Sequence, residues 1–176
     1  PDEAEHRYLI AAIDRASRWV YFEIQPDKSA ATAAGFLERL RAKAPFRIRT
    51  VLTDNGKEFT DRFCATGERE PTGQHRFDQT CATHGIQHRL IKPKHPQTNG
   101  MIERFNGCVA EVLKTTTFAS ARHLETTLQR YLPLYNQHIP QKNLGHVTPI
   151  AKLQEYYRIK PKLFQKKPIN HPGPDR

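Results

Sequence analysis

No apolar run in this 176-residue chain approaches the roughly 18–20 residues that a bilayer-crossing helix needs. The opening residues, Pro1-Asp-Glu-Ala-Glu-His6, lack the basic and apolar regions of a signal peptide. Cysteine is scarce as well: Cys64, Cys81 and Cys108 are odd in number and form no CxxC pair. A disulfide framework is therefore not expected, and a reducing cytoplasm is the expected compartment. Cys81, His84 and His88 resemble part of a zinc set, but no fourth ligand accompanies them. There is no Gly-rich phosphate loop and no Ser-His-Asp arrangement. Acid is in deficit too, with 18 Asp and Glu against 28 Lys and Arg, a formal net charge of +10. Such an excess points to a polyanionic partner.

What is present fits one domain with a sizeable core. The basic excess is uneven: residues 158–176 hold six Lys and Arg against one acid, Asp175. We therefore expect a domain over residues 1–157 and a basic, Pro-rich, mobile tail over 158–176. Tyr8–Asp14 is a continuous apolar run ending in an acid, and Trp19–Ile24 is aromatic and β-branched, so the two predict a hairpin. Ser29 or Asp27 can cap a helix whose core stripe is Ala33, Phe36, Leu37, Leu40 and Ala44. Arg47–Thr53 predicts a strand, residues 65–74 a polar insertion, Phe77–His84 a helix stopped by Gly85, and Ile86–Leu90 a short strand. Two amphipathic helices follow, with stripes Ile102, Phe105, Val109, Val112, Leu113 and Leu124, Leu128, Tyr131, Leu132, Tyr135. Thr148-Pro149 opens a last short helix. The order is that of an α/β fold with a mixed sheet.

Two stretches carry the chemistry. In Val51-Leu-Thr-Asp54-Asn-Gly-Lys-Glu-Phe59, Asp54 ends a strand and an Asn-Gly turn follows it. In His95-Pro-Gln-Thr-Asn-Gly-Met-Ile-Glu103-Arg-Phe-Asn-Gly107, Glu103 lies in the first turns of a helix. Carboxylates at a strand end and a helix start can converge on a divalent cation, and Mg²⁺ favours such oxygen ligands. In phosphodiester chemistry divalent ions activate the nucleophile, stabilise the leaving oxygen and offset phosphate charge. Lys92, Lys94 and His95 precede the helix as cationic donors for phosphate. Gly107, costly inside a helix by roughly 1 kcal/mol, predicts close approach by DNA or another backbone.

Thr53-Asp54-Asn-Gly56, Lys92-Pro-x-His95-Pro-Gln-Thr-Asn-Gly100 and Glu103-Arg-Phe-Asn106 resemble the integrase catalytic core of bacterial insertion-sequence (DDE) transposases. Tyr135-Asn136, Pro140-Gln, Leu144-Gly145 and Thr148-Pro149 agree with it. Such cores are related to retroviral integrases and share the ribonuclease-H-like fold. The resemblance implies metal-dependent DNA cleavage and strand transfer with Mg²⁺ or Mn²⁺. It gives Asp54 and Glu103 as metal-binding catalytic acids, and Lys92, Lys94, His95, Gln97 and Asn99 as DNA contacts. It implies double-stranded DNA, a homo-oligomer, no membrane, and a bacterial cytoplasmic, nucleoid-associated setting.

In that family the first acid of the triad lies on a strand before the hairpin. Asp14 matches a later acid, read here as a turn residue paired with Arg15 or Arg18. The expectation is thus a ribonuclease-H-like mixed sheet flanked by helices, lacking its first, central strand. The alternative function is a catalytically inactive truncated transposase fragment that binds DNA or an intact transposase.

Overall fold

The computed structural model of the chain describes residues 6–64, 67–68, 70–91 and 100–170. Its elements follow the predicted order: β1 (Tyr8–Ile13), β2 (Val20–Gln25), α1 (Ala30–Lys43), β3 (Thr50–Thr53), β4 (Phe63–Cys64), β5 (Gly67–Glu68), α2 (Arg76–Thr83), β6 (Gln87–Leu90), α3 (Gly100–Thr115), α4 (Ala121–His138) and α5 (Pro149–Ile159). The polar insertion contains β5, which pairs with β4 just before it in a minimal antiparallel pair that sequence composition had not distinguished from loop.

β1 and β2 pair antiparallel, with Tyr8 opposite Gln25 and Ile13 opposite Val20. Their turn is closed by the Asp14 amide donating to the Trp19 carbonyl at 2.8 Å. It requires Arg18 to take a left-handed backbone (φ 61°). β3 and β6 run parallel, with Thr50 opposite Gln87 and Thr53 opposite Leu90. Helices cover both faces of this strand layer. On one side α1 and α2 bury Ala33, Phe36, Leu37, Leu40, Phe77 and Cys81 against Ile10 of β1. On the other, Phe105 and Val109 of α3 and Leu128 and Tyr135 of α4 pack on Val20 and Phe22 of β2. The predicted stripes are therefore the core, with one exception. Leu113, at the end of its stripe, is 36% exposed, because α4 packs on the earlier turns of α3.

Among the described residues no strand joins β1 to β3. A cleft of about 650 Å³ lies there instead, lined by Ile10 and Ala12 of β1, Val51 and Leu52 of β3, and Phe36 and Leu37 of α1. This agrees with the expected sheet without a central strand. It also explains why the apolar run of β1, suited to burial on both faces, buries only Ile10 fully.

β2, by contrast, has one edge closed by a side chain. Asn136 of α4, 6% exposed, accepts from the Val20 amide at 2.9 Å and donates to the Val20 carbonyl at 2.8 Å. An amide side chain carries one donor and one acceptor in the same geometry as a peptide group. It pairs with Val20 as a neighbouring strand would.

The basic end departs from the expected mobile tail. Its boundary at 157/158 falls inside α5, and residues beyond that helix pack against the end of α1. Phe164 bridges Phe46, and the Arg47 amide donates to the Leu163 carbonyl. Gln165 Nε2 donates to the carbonyls of Arg41 (2.6 Å) and Ala44 (2.7 Å), and Lys166 Nζ to that of Ala42. The last carbonyls of a helix lack intrahelical partners and favour cations, so a polar, basic segment is suited to this place.

Candidate functional site

Asp54 leaves β3 at its C-terminal end, where α/β sheets present their functional groups. The residue is exposed. Its Oδ1 accepts from the Gly56 amide at 3.0 Å, so the Asn-Gly turn holds the carboxylate at the strand end. A side chain at Gly56 would displace the ends of two flexible carboxylates. A Cβ there would come 2.6 Å from Glu58 Oε2 and 3.0 Å from Asp54 Oδ1. The turn thus gathers two carboxylates on one side, and Glu58 is a neighbour that motif reading had not assigned.

Glu103 is also exposed, in the first turn of α3. Met101 and Ile102, which immediately precede it, line the cleft together with Asp54 and Asp14. Arg18 of the hairpin turn contacts Met101 Sδ, which ties the start of α3 to β1–β2. The end of β3 with Asp54 and the first residues of α3 therefore border the same cleft. Glu103 itself does not line the cleft.

Asp14 lines that cleft but is engaged elsewhere. Its Oδ2 accepts from the Ser17 amide at 2.8 Å and the Ser17 hydroxyl at 2.6 Å. The turn-acid reading of Asp14 is right in kind and wrong in partner. Ser17, fully buried, takes the place expected for Arg15 or Arg18, because the tight turn brings its backbone and hydroxyl to the carboxylate.

Lys92, Lys94, His95, Gln97 and Asn99 lie outside the described residues. Gly107 is described, and a Cβ there would meet nothing within 4 Å. Among the described residues no other backbone outside its own helix approaches it, so a close approach within the chain is not seen there.

The histidines and cysteine weighed as zinc ligands serve different ends. Cys81 is buried in the α1–α2 core, and that burial pushes its thiol up to about 11. His84 Nε2 faces Glu38 Oε1 at 2.5 Å. His88 is only 4% exposed and lies between Asp78 of α2 and Thr53 of β3. Among the described residues no three His, Cys, Asp or Glu side chains converge as a metal site. The oxygen donors of Asp54 and Glu103 nevertheless fit a hard cation, since Mg²⁺ is commonly held by one or two carboxylates with water and phosphate completing its shell.

Strands flanked by helices on both faces, with acids at a strand end and a helix start, define the fold of an integrase-type catalytic core. The catalytic core domain of BIV integrase shares it, with a TM-score of 0.62 at 21% identity over 86% of this chain and 88% of that one. The chain belongs to the Integrase core domain family, which matches residues 1–96 and, in a second form, residues 84–149. The insertion element IS476 uncharacterized 39.2 kDa protein of Xanthomonas euvesicatoria is 34% identical over 111 residues, 62% of this chain and 28% of that protein. A retrovirus-related Pol polyprotein from transposon TNT 1-94 of Nicotiana tabacum is 29% identical over 112 residues, 62% of this chain and 8% of the polyprotein. The chain thus spans less than a third of these relatives. No helix among the described residues is long and apolar enough to cross a membrane.

Proposed function

We propose that the chain is the core of a DDE transposase that cleaves phosphodiester bonds at the ends of an insertion element and joins them to target DNA. The observation that carries this reading is the shared cleft, bordered by the end of β3 with Asp54 and by the first residues of α3, just before Glu103. Asp54 and Glu103 are the two carboxylates that hold Mg²⁺ or Mn²⁺. A divalent ion held there would supply activation of the attacking hydroxyl or water and offset charge on the phosphorus oxygens. The chain's own residues fix where that happens. The Gly56 amide orients Asp54, Arg18 anchors the start of α3 through Met101, and Lys92, Lys94, His95, Gln97 and Asn99 bind the DNA backbone. The first acid of the triad would enter on a strand that fills the cleft between β1 and β3. Double-stranded DNA is the substrate and a homo-oligomer the working assembly.

The open cleft favours a second reading, a catalytically inactive fragment that binds DNA or an intact transposase. A strand-transfer assay with Mn²⁺ on duplex oligonucleotides carrying element ends separates the two. Joining that falls to background in Asp54→Asn and Glu103→Gln but persists in Asp14→Asn supports the first. DNA retention with no joining, unchanged in those variants, supports the second. Joining abolished by Asp14→Asn overturns the assignment of the acids.

A further inference from the structure

β6 presents a buried histidine whose neighbours form a line toward Asp54. His88 is opposite Val51 in the parallel register, so its side chain shares a face with Val51 and Thr53. It reaches Thr53, with Nε2 2.8 Å from the Thr53 hydroxyl. Its Nδ1 is 2.6 Å from Asp78 Oδ1 of α2, and Arg62 Nη2 is 3.5 Å from the same oxygen. Phe77 closes the pocket edge-to-face, with ring centroids 5.0 Å apart. At the far end the Thr53 hydroxyl is 3.0 Å from the carbonyl oxygen of Asp54. The line therefore runs Arg62, Asp78, His88, Thr53 and ends on the main chain of a proposed metal ligand.

We infer that His88 is a positioning residue for Asp54, acting through the single proton of the Thr53 hydroxyl. The inference rests on the reading of Asp54 as a metal-holding acid. A hydroxyl donates once. The Asp78 carboxylate assigns a proton to His88 Nδ1. A neutral His88 then offers a lone pair at Nε2, and Thr53 donates to it, leaving the Asp54 carbonyl without that donor. A charged His88 donates from Nε2 to the Thr53 oxygen, and the hydroxyl proton turns to the Asp54 carbonyl. Two arrangements of one hydroxyl thus set whether Asp54 is held at its carboxylate alone or at its main chain as well.

The charged and titratable groups facing His88 are Asp78 from α2, Arg62 from the preceding loop, and His75 just before α2. Burial, the largest influence, lowers its pKa from 6.5, the Asp78 contact opposes that, and Arg62 and His75 reinforce it. The neutral arrangement accordingly prevails at neutral pH, and the charged one appears on acidification.

Nuclear magnetic resonance of the chain, titrated from pH 7 to 5, tests the relay. The Asn55 amide shares its peptide unit with the Asp54 carbonyl, so its shift reports a hydrogen bond made there. In the wild type it should move with the midpoint of the His88 ring. Thr53→Val should abolish the movement while His88 still titrates, and Thr53→Ser should retain it. An Asn55 amide whose midpoint departs from that of the His88 ring, or that moves equally in Thr53→Val, overturns the inference.

A Mn²⁺ titration read by paramagnetic broadening at Asn55 separates this failure from that of the underlying function. Asp54→Asn should abolish the broadening, and Thr53→Val should weaken the affinity about tenfold. Thr53→Ser should keep the wild-type affinity. Broadening unchanged in Asp54→Asn removes the metal-holding reading, and the positioning role with it. Broadening lost in Asp54→Asn but unaltered in Thr53→Val removes only the positioning role.

Discussion

The two sides of the β1–β2 hairpin are finished differently. On the β2 side Asn136 completes the backbone pairing of Val20, and Phe105, Val109, Leu128 and Tyr135 seal the layer above it. On the β1 side no strand among the described residues follows, and apolar side chains of β1 and β3 face a cleft. Both sides draw on the same kind of apolar residue, so hydrophobicity does not distinguish them. What differs is whether a polar partner has been provided for the backbone at the edge, and an unfinished edge is a place where another strand can pair.

Large-to-small substitutions should expose this contrast most clearly. Phe105 is 1% exposed and packs on Phe22 and Tyr135. Phe105→Ala should cost about 3–5 kcal/mol in chemical denaturation, whereas Leu52→Ala, which only enlarges an existing cleft, should cost under about 1 kcal/mol. Equal losses would mean that the cleft side is as tightly packed as the other. Removing the edge partner comes next. Asn136→Ala strands a buried amide and carbonyl and should cost about 2–3 kcal/mol, while Asn136→Asp, which turns a buried carboxylate oxygen toward the Val20 carbonyl, should cost at least as much at neutral pH. A neutral result for Asn136→Ala would show that the β2 edge does not depend on this pairing.

Acid should separate the same two regions in sequence. His88 belongs to the β3–β6 side and its folded pKa lies below 6.5. The unfolded chain then takes up a proton first, so stability falls as pH drops below about 6.5 and levels off once the folded pKa is passed. Glu23 belongs to the hairpin. Burial tends to raise its pKa, but hydrogen bonds from Arg39 and Tyr21 and the Arg39 charge bring it below 4.5. Its contribution is present above 4.5 and disappears as pH falls through the folded value. A pH series of denaturation midpoints should therefore show a small early loss, removed in Thr53→Val only if the hydroxyl contributes to it, and a later loss removed in Glu23→Gln.

Much of this was legible in the residues. The periodicity of Ala33, Phe36, Leu37 and Leu40 located the α1 face, and Asn55-Gly56 located the turn that holds Asp54. The apolar run of β1 indicated burial on two faces, and the cleft lies along its open edge, lined by residues of both. The relay through His88 was not legible. It joins residues 35 and 10 positions apart, across a parallel strand pair and a helix, and neither spacing has a local period. Asn136 stood out as part of a motif, yet its role depends on a partner 116 positions away. The charge of the C-terminal segment suggested a free tail because composition does not record the helix end that its Gln165 and Lys166 cover.

That last contact carries a consequence for the order of events during synthesis. The α1 carbonyl at Ala44 receives its cap from Gln165, 121 residues later. At roughly 5–20 residues per second of ribosomal elongation, the end of α1 waits on the order of 6–24 s for the side chain that finishes it. Helices form far faster than that. A nascent chain thus carries a formed but unterminated α1 until the segment around Gln165 has been made, and that segment acts as a late fastening on a helix built before it.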